Sequence, residues 1–106
     1  MLQHSSLAAG RWFTLSLAEQ LGNIGSEIGR ALRATSGKEK TAAGFRALEL
    51  FDLTLSDNRW YGRGSELARS REVVSDLLFG DNIYNVSELS LENYFTQFAL
   101  LARRDR

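Results

Sequence analysis

The sequence predicts an all-α protein, specifically an antiparallel up-down-up-down four-helix bundle with an N-terminal lid. Three observations lead to this fold class: apolar residues recur at helical spacing in four segments, serine-led capping motifs precede several of them, and the chain contains no proline. The connections are short, which favours antiparallel neighbours. A length of 106 residues suits a single domain, 1–106. Residues 1–15, with Trp12 and Phe13, are expected to form the lid.

The first helix is predicted over residues 16–35. It begins at a capping box, in which Ser16 and Glu19 are spaced so that each side chain can bond the other's backbone N–H. One face of this segment is continuously apolar at helical spacing. That face consists of Leu17, Leu21, Ile24, Ile28 and Leu32.

Three further helices follow, over residues 38–56, 65–79 and 88–103. A second capping motif lies at residues 36–39, and Gly80 is expected to end the third helix in a left-handed conformation. Each helix has an apolar face that is expected to point inward. These faces consist of Phe45, Leu48, Phe51 and Leu55 in the second helix, Leu67, Val74, Leu77 and Leu78 in the third, and Leu91, Tyr94, Phe95, Phe98, Ala99 and Ala102 in the fourth.

Two opposite charges interrupt these apolar faces. Asp52 lies between Phe45 and Leu48 on a helical wheel, and Arg71 lies between Leu67 and Leu78. A buried charge without a partner is costly, so the two side chains are expected to form an ion pair in the core. Such a pair either fixes the order of the helices or marks a recessed anion site. Thr54, Asn82 and Tyr84 are possible additional partners.

Small residues run along one flank of the first helix, at Gly22, Gly25 and Gly29. Each glycine inside a helix costs about 1 kcal/mol relative to alanine, so a close contact is expected to compensate. That contact is either internal, with Phe45 or Phe98 in the groove, or a dimer seam. Leu50 and Leu53 on the back of the second helix also indicate an interface. The sequence therefore predicts a homodimer.

Composition excludes several classes of function. The chain has no cysteine, which excludes disulfides, thiolate catalysis and the common zinc sites and favours a cytoplasmic location. Thirteen basic and thirteen acidic residues cancel, so no net charge attracts the chain to nucleic acid or anionic membrane. No apolar run is long enough to span a membrane, and the N-terminal residues do not resemble an export signal. No cofactor is predicted.

In an antiparallel bundle, one end collects arginines and aromatic side chains. Arginine beside tryptophan or tyrosine suits phosphate contact and base stacking, so this pole could bind an anion or single-stranded nucleic acid. Alternatively, the arginines stabilise helix ends and the tryptophans pack as an apolar plug. The pole consists of Arg11, Trp12, Arg59, Trp60, Tyr61, Arg63, Arg103 and Arg104.

Four carboxylates provide the best enzyme hypothesis. Glu49 with Asp52, and Glu72 with Asp76, resemble the paired acidic motifs with which all-α nucleotide pyrophosphohydrolases hold magnesium. The second pair has a different spacing, and it falls on the outer face of its helix. The single histidine, His4, leaves no basis for ferritin-like di-iron chemistry or a serine–histidine relay. We predict no catalytic or metal-binding residue.

At whole-chain scale, the sequence resembles a group of short uncharacterised helical proteins of bacteria and archaea. The resemblance spans residues 12–103 and is carried by the segments 20–27, 46–54 and 94–99, and by Arg71-Glu72 with Gly80 to Tyr84. It implies a prokaryotic source and a structural role for Asp52 and Arg71, and it transfers no activity. The sequence therefore favours an intracellular protein-interaction module without chemistry of its own. The anion or nucleic-acid binder and the magnesium-dependent hydrolase are the alternatives.

Overall fold

The computed structural model describes residues 10–104, and within them every regular element is helical. The all-α class is therefore confirmed. A helical turn at residues 10–12 comes first, and a 3₁₀ helix, Asn58–Arg63, leads into the third main helix. The observed helix bounds lie within two residues of the predicted ones. The main helices are α1, Leu17–Arg33; α2, Gly37–Leu55; α3, Gly64–Phe79; and α4, Glu88–Arg104.

Local side-chain caps fix the start of three helices. At α1 the predicted capping box is complete: the Ser16 hydroxyl accepts from the Glu19 N–H at 3.1 Å, and the Glu19 carboxylate accepts from the Ser16 N–H at 2.9 Å. The Ser36 hydroxyl accepts from the Glu39 N–H at the start of α2. Ser87 caps the start of α4 in the same way. The capping motifs are thus reliable signals, because each involves neighbours in sequence.

The end of α3 differs from the prediction. Gly80 has φ −105°, so the expectation of a left-handed glycine was wrong. The reversal occurs instead at Asn82, which has φ +52°, a conformation that asparagine adopts more readily than most residues. The Asp76 carboxylate holds this turn, since it accepts the N–H groups of Ile83 and Tyr84, each at 3.0 Å.

Helix α1 is the centre of the packing. It lies along both α2 and α4, and α3 packs mainly on α2. The backbones of α3 and α4 approach each other only slightly. A regular ring of four helices would bring these two into full contact, so one side of the molecule is left open.

All four main helices contribute to the core: α1 and α2 supply most of its buried apolar residues, α3 supplies Leu67, Val74 and Leu78, and α4 supplies Leu91 and Phe95. Helix α2 is rotated by about a quarter turn relative to the predicted face. Ala47 and Leu50 are buried, whereas Phe45, expected inside, is 49% exposed and stacks on Phe79 at 5.0 Å between ring centroids. Small residues such as Ala43 allow a closer helix approach than a stripe of large side chains would. The sequence pattern weighted the large residues: it placed Leu48 and Phe51 inward correctly, but it overlooked the small inward residues and put Phe45 and Asp52 inside.

Candidate functional site

Asp52 and Arg71 meet, but at the surface. The Arg71 guanidinium donates to both carboxylate oxygens of Asp52, at 2.8 and 3.2 Å, and so links α2 to α3. The Asp52 side chain is 52% exposed and that of Arg71 33%, so the expected core location was wrong. The rotation of α2 carries Asp52 outward. The suggested additional partners bond elsewhere: Thr54 to Trp12, Asn82 to Val86 and Tyr84 to Glu72.

The glycines of α1 allow α4 to approach closely. A Cβ added at Gly25 would lie 2.6 Å from the Cβ of Phe95, and one at Gly22 would lie 3.2 Å from the Cα of Ala99. The internal-contact interpretation therefore describes these two positions, although the aromatic partner is Phe95 and not Phe45 or Phe98. At Gly29 the three atoms nearest to the added Cβ all belong to the guanidinium of Arg33.

Most residues of the expected dimer surface pack against other parts of the same chain. Gly22 and Gly25 are covered by α4, and Leu50 is buried in the rotated face of α2. Leu53 is partly buried and packs against the core. Gly22, Gly25 and Leu50 thus have packing partners within one chain, and Leu50 and Leu53 also line a wide groove along α1.

The tryptophans of the expected pole belong to a buried polar network. The Trp12 indole is 7% exposed and donates to the Thr54 hydroxyl at 3.1 Å. Gln20, fully buried, donates to the Trp12 carbonyl at 2.9 Å and to Asp57 at 3.1 Å, and accepts from the Trp60 indole at 2.9 Å. The Trp12 indole is buried and the Trp60 indole is partly buried beneath Arg59, which counts against base stacking in the anion-binding hypothesis.

Arg59 is also engaged within the chain. Its guanidinium donates to Asp57 at 2.7 Å and to the Leu15 carbonyl at 2.7 Å, and it lies 4.4 Å from the ring centroid of Trp60. The bond from Arg59, with a further bond from Gln20, lowers the pKa of Asp57 to about 2. The same contact raises the pKa of Arg59. This arrangement ties the segment before α1 to the loop after α2.

The remaining residues of the pole are exposed. Tyr61 is almost fully exposed, and Arg63 pairs with Glu66 at 3.2 Å. Arg11 and Arg103 line a wide polar groove along α1, of about 720 Å³. The lining of this groove also includes Glu19 and Glu27, so its charge is mixed. Arg104 lies exposed at the end of α4. Of the eight residues, the exposed ones without an ion pair inside the described chain are Arg11, Tyr61, Arg103 and Arg104.

The acidic residues do not form a metal site. Within residues 10–104, no group of three or more histidine or carboxylate side chains is placed to hold a metal ion. Asp52 binds Arg71, and Asp76 binds the turn after α3. Glu72 accepts from the Tyr84 hydroxyl at 2.9 Å, a bond that raises the pKa of Tyr84. This geometry counts against the magnesium hypothesis. His4 lies outside the described residues.

The open side of the molecule contains an apolar groove, which we call the α3–α4 groove. Its volume is about 320 Å³, comparable to the smaller ligand pockets of proteins. Val73 supplies one wall, Val86 closes one end, and Tyr94 and Phe95 meet edge to face at 5.1 Å. The complete lining is Glu66, Arg69, Ser70, Val73, Val86, Ser90, Leu91, Tyr94 and Phe95.

One charge at the rim of this groove lacks an ionic partner in the described part of the chain. Arg69 forms none of the ion pairs there and lies 5.4 Å from the ring centroid of Tyr84. The other rim charge, Glu66, is neutralised by Arg63. The groove thus combines an apolar interior with one available guanidinium.

Sequence reasoning missed both the groove and the polar network. Leu91 and Phe95 are buried as predicted, but the pattern does not indicate that they also line a groove, and it places Arg69 on a charged outer face. Gln20 could have been found, because it is a polar residue next to the buried stripe of α1. The gap between α3 and α4 leaves no such signal, since it depends on how the helices pack.

Comparison with protein-family models, with curated proteins and with solved structures finds no match to this chain. Among the described helices, none has the length and apolar content needed to cross a membrane. The fold and the groove therefore define the class: an all-α domain with an open apolar groove.

Proposed function

We propose that the protein is a small protein-interaction module without chemistry of its own, and that it acts as a homodimer through the α3–α4 groove. The observation that supports the proposal is the incomplete packing of α3 against α4, which leaves Val73, Tyr94 and Phe95 lining an open apolar space. A partner helix that inserts apolar side chains would cover it.

The proposal also includes the topology of the helices and the cellular location of the protein. The up-down-up-down bundle with an N-terminal lid agrees with the short connections and with the burial of Trp12. A cytoplasmic location agrees with the absence of cysteine. The resemblance to short prokaryotic helical proteins adds no activity.

Light scattering over a range of concentrations tests the proposal. The wild-type chain is expected to reach the mass of a dimer. Ser70→Trp places a large ring in the groove, so this variant is expected to stay monomeric. Ser75→Trp, on another side of the same helix, is the control and should dimerise normally. A monomeric wild type, or a dimeric Ser70→Trp variant that melts like the wild type, would contradict the proposal.

The second candidate function is anion binding, and the site proposed for it is the groove along α1. It is favoured by one observation: Arg11 and Arg103 come together there from distant parts of the sequence. Retention on a phosphate-bearing matrix tests it. Replacing both arginines with alanine should lower the salt concentration needed for elution, whereas Arg63→Ala should not, because Arg63 is paired with Glu66.

A further inference from the structure

The α3–α4 groove combines apolar side chains with hydroxyl groups that are not used inside the chain. The buried Leu91 and Phe95 and the half-buried Val73 contribute apolar surface. Ser70 and Ser90 also line the groove, and within residues 10–104 neither hydroxyl forms a hydrogen bond. Both hydroxyls are therefore free to bond a molecule that enters the groove.

Arg69 adds a positive charge at the rim. Among the described residues its guanidinium forms no ion pair and no hydrogen bond, and it lies 5.4 Å from the ring centroid of Tyr84. The carboxylate in the lining, Glu66, is bound by Arg63 at 3.2 Å and so does not occupy Arg69. A guanidinium can bind a carboxylate through two parallel hydrogen bonds. One available cation thus matches one carboxylate.

The size of the groove limits the apolar part of such a ligand. Its volume is about 320 Å³. One water molecule in the liquid takes about 30 Å³, so the groove has room for roughly ten non-hydrogen atoms. A carboxylate group with an apolar chain of about seven further carbons has that size. Ligand pockets typically have this composition, an apolar lining with a few polar groups that fix the orientation.

We propose that the α3–α4 groove binds a small organic anion, namely a monocarboxylate with an apolar body, whose carboxylate pairs with Arg69. The apolar body lies against Val73, Leu91 and Phe95. This ligand takes the space that a second copy uses in the proposed homodimer, so it competes with dimer formation. Only the competition rests on the proposed homodimer, because the ligand contacts named here all belong to one chain.

An NMR titration with octanoate tests the binding, in protein diluted until light scattering shows single chains. A ligand of this size is expected to bind with a Kd of about 0.1–1 mM and to shift the resonances of the groove-lining residues. Octanol keeps the apolar chain without the charge and should bind about tenfold more weakly. Acetate keeps the charge without the chain and should bind too weakly to detect. Octanol or acetate binding as tightly as octanoate, or no octanoate binding up to about 10 mM, would overturn the inference.

Two pairs of variants locate the site. Arg69→Gln should weaken octanoate binding by about tenfold and leave octanol binding unchanged. Arg104→Gln removes the same charge from the exposed end of α4, outside the groove lining, and should bind octanoate like the wild type. Ser70→Trp should abolish the binding of both probes, whereas Ser75→Trp should not. Equal losses in Arg69→Gln and Arg104→Gln would show general charge attraction and would contradict the proposed site.

Light scattering distinguishes the failure of this inference from the failure of the proposed homodimer. Octanoate near its Kd should convert the wild-type dimer to single chains. If octanoate binds but the chain never dimerises, the ligand site stands and the homodimer fails. If Ser70→Trp abolishes a wild-type dimer but octanoate does not bind, the homodimer stands and this inference fails. Octanoate that binds without dissociating that dimer would overturn the competition.

Discussion

The two sides of α4 are packed in opposite ways. Toward α1, the Cβ of Phe95 sits so close to Gly25 that a methyl group could not fit between them. Toward α3, the ring of the same Phe95 lines an open groove of about 320 Å³. Small residues on α1 let α4 pack close to α1. Helix α3 packs on α2 instead, and a gap remains between α3 and α4. The groove is therefore a consequence of the tight contact on the other side of α4.

The polar contacts show the same contrast. Asp57 is buried and is held by Arg59 and Gln20 at the α1 end of the molecule. Asp52, which holds α3 to α2 through Arg71, is half exposed. Exposed ion pairs stabilise little, so α3 is joined to the rest of the chain mainly by its apolar face. The α1 side is fixed by both apolar and polar contacts.

The largest effect is expected where the packing is tightest. Gly25→Ala should lower the free energy of unfolding by about 2 kcal/mol, because the overlap with the Phe95 Cβ forces α4 outward and exceeds the gain in helix propensity. Gly29→Ala is the control on the same helix. The atoms nearest to its added methyl belong to the Arg33 guanidinium, the end of a long and exposed side chain that can shift, so Gly29→Ala should be neutral or stabilise by up to about 1 kcal/mol.

Urea unfolding followed by circular dichroism measures both variants. A Gly25→Ala protein as stable as Gly29→Ala would show that α4 is free to move away from α1, and the contrast between the two sides of α4 would then be lost.

The buried carboxylate should give the next largest effect. The pKa of Asp57 in the folded chain is about 2, against 3.8 for the ordinary side chain. Because the folded value is the lower one, the ion pair stabilises the chain fully above about pH 4, and this contribution is lost as the pH falls toward 2. Asp57→Asn should therefore cost about 1–2 kcal/mol at neutral pH.

The pH dependence of unfolding provides the check. The difference in unfolding free energy between the wild type and Asp57→Asn should shrink steadily from about pH 4 to pH 2. A difference that stays constant over this range would mean that the carboxylate charge contributes nothing and that the loss comes from packing alone.

The sequence predicted the elements better than their packing. Capping residues such as Ser16 and Ser36 act on neighbours three positions away, so the helix starts could be located from the chain alone. The inward face of α2 could not, because its small residues pack as closely as its large ones. Phe45 and Asp52 were placed inside for that reason, and both lie outside.

The candidate site, the α3–α4 groove, was harder to predict from the sequence than the packing of α2. Arg69 and Ser90 have no spacing or motif that relates them, and they line the same groove only because of the way α3 and α4 pack. The contact between Asp52 and Arg71 could be anticipated from opposite charges on consecutive helices, although its burial could not. Contacts within a helix are encoded locally, whereas a gap between helices depends on the whole arrangement.

A third test addresses the open side directly. Ser70→Leu should raise the free energy of unfolding by about 0.5–1 kcal/mol in dilute, monomeric protein, because the larger side chain fills apolar space in the groove. Thermal unfolding at low concentration measures this. A loss of stability close to that of Gly25→Ala would show that the α3 side of α4 is as tightly packed as the α1 side.

The smallest effect is expected for the exposed ion pair. A double-mutant cycle of Asp52→Asn and Arg71→Met should give a coupling of about 0.5 kcal/mol, because water screens a pair whose carboxylate is half exposed. Raising the salt concentration should reduce it further. A coupling of several kcal/mol would mean that α3 is held by this pair rather than by its apolar face. The groove would then exist because the Asp52–Arg71 ion pair holds α3 on α2, and not because α4 packs closely on α1.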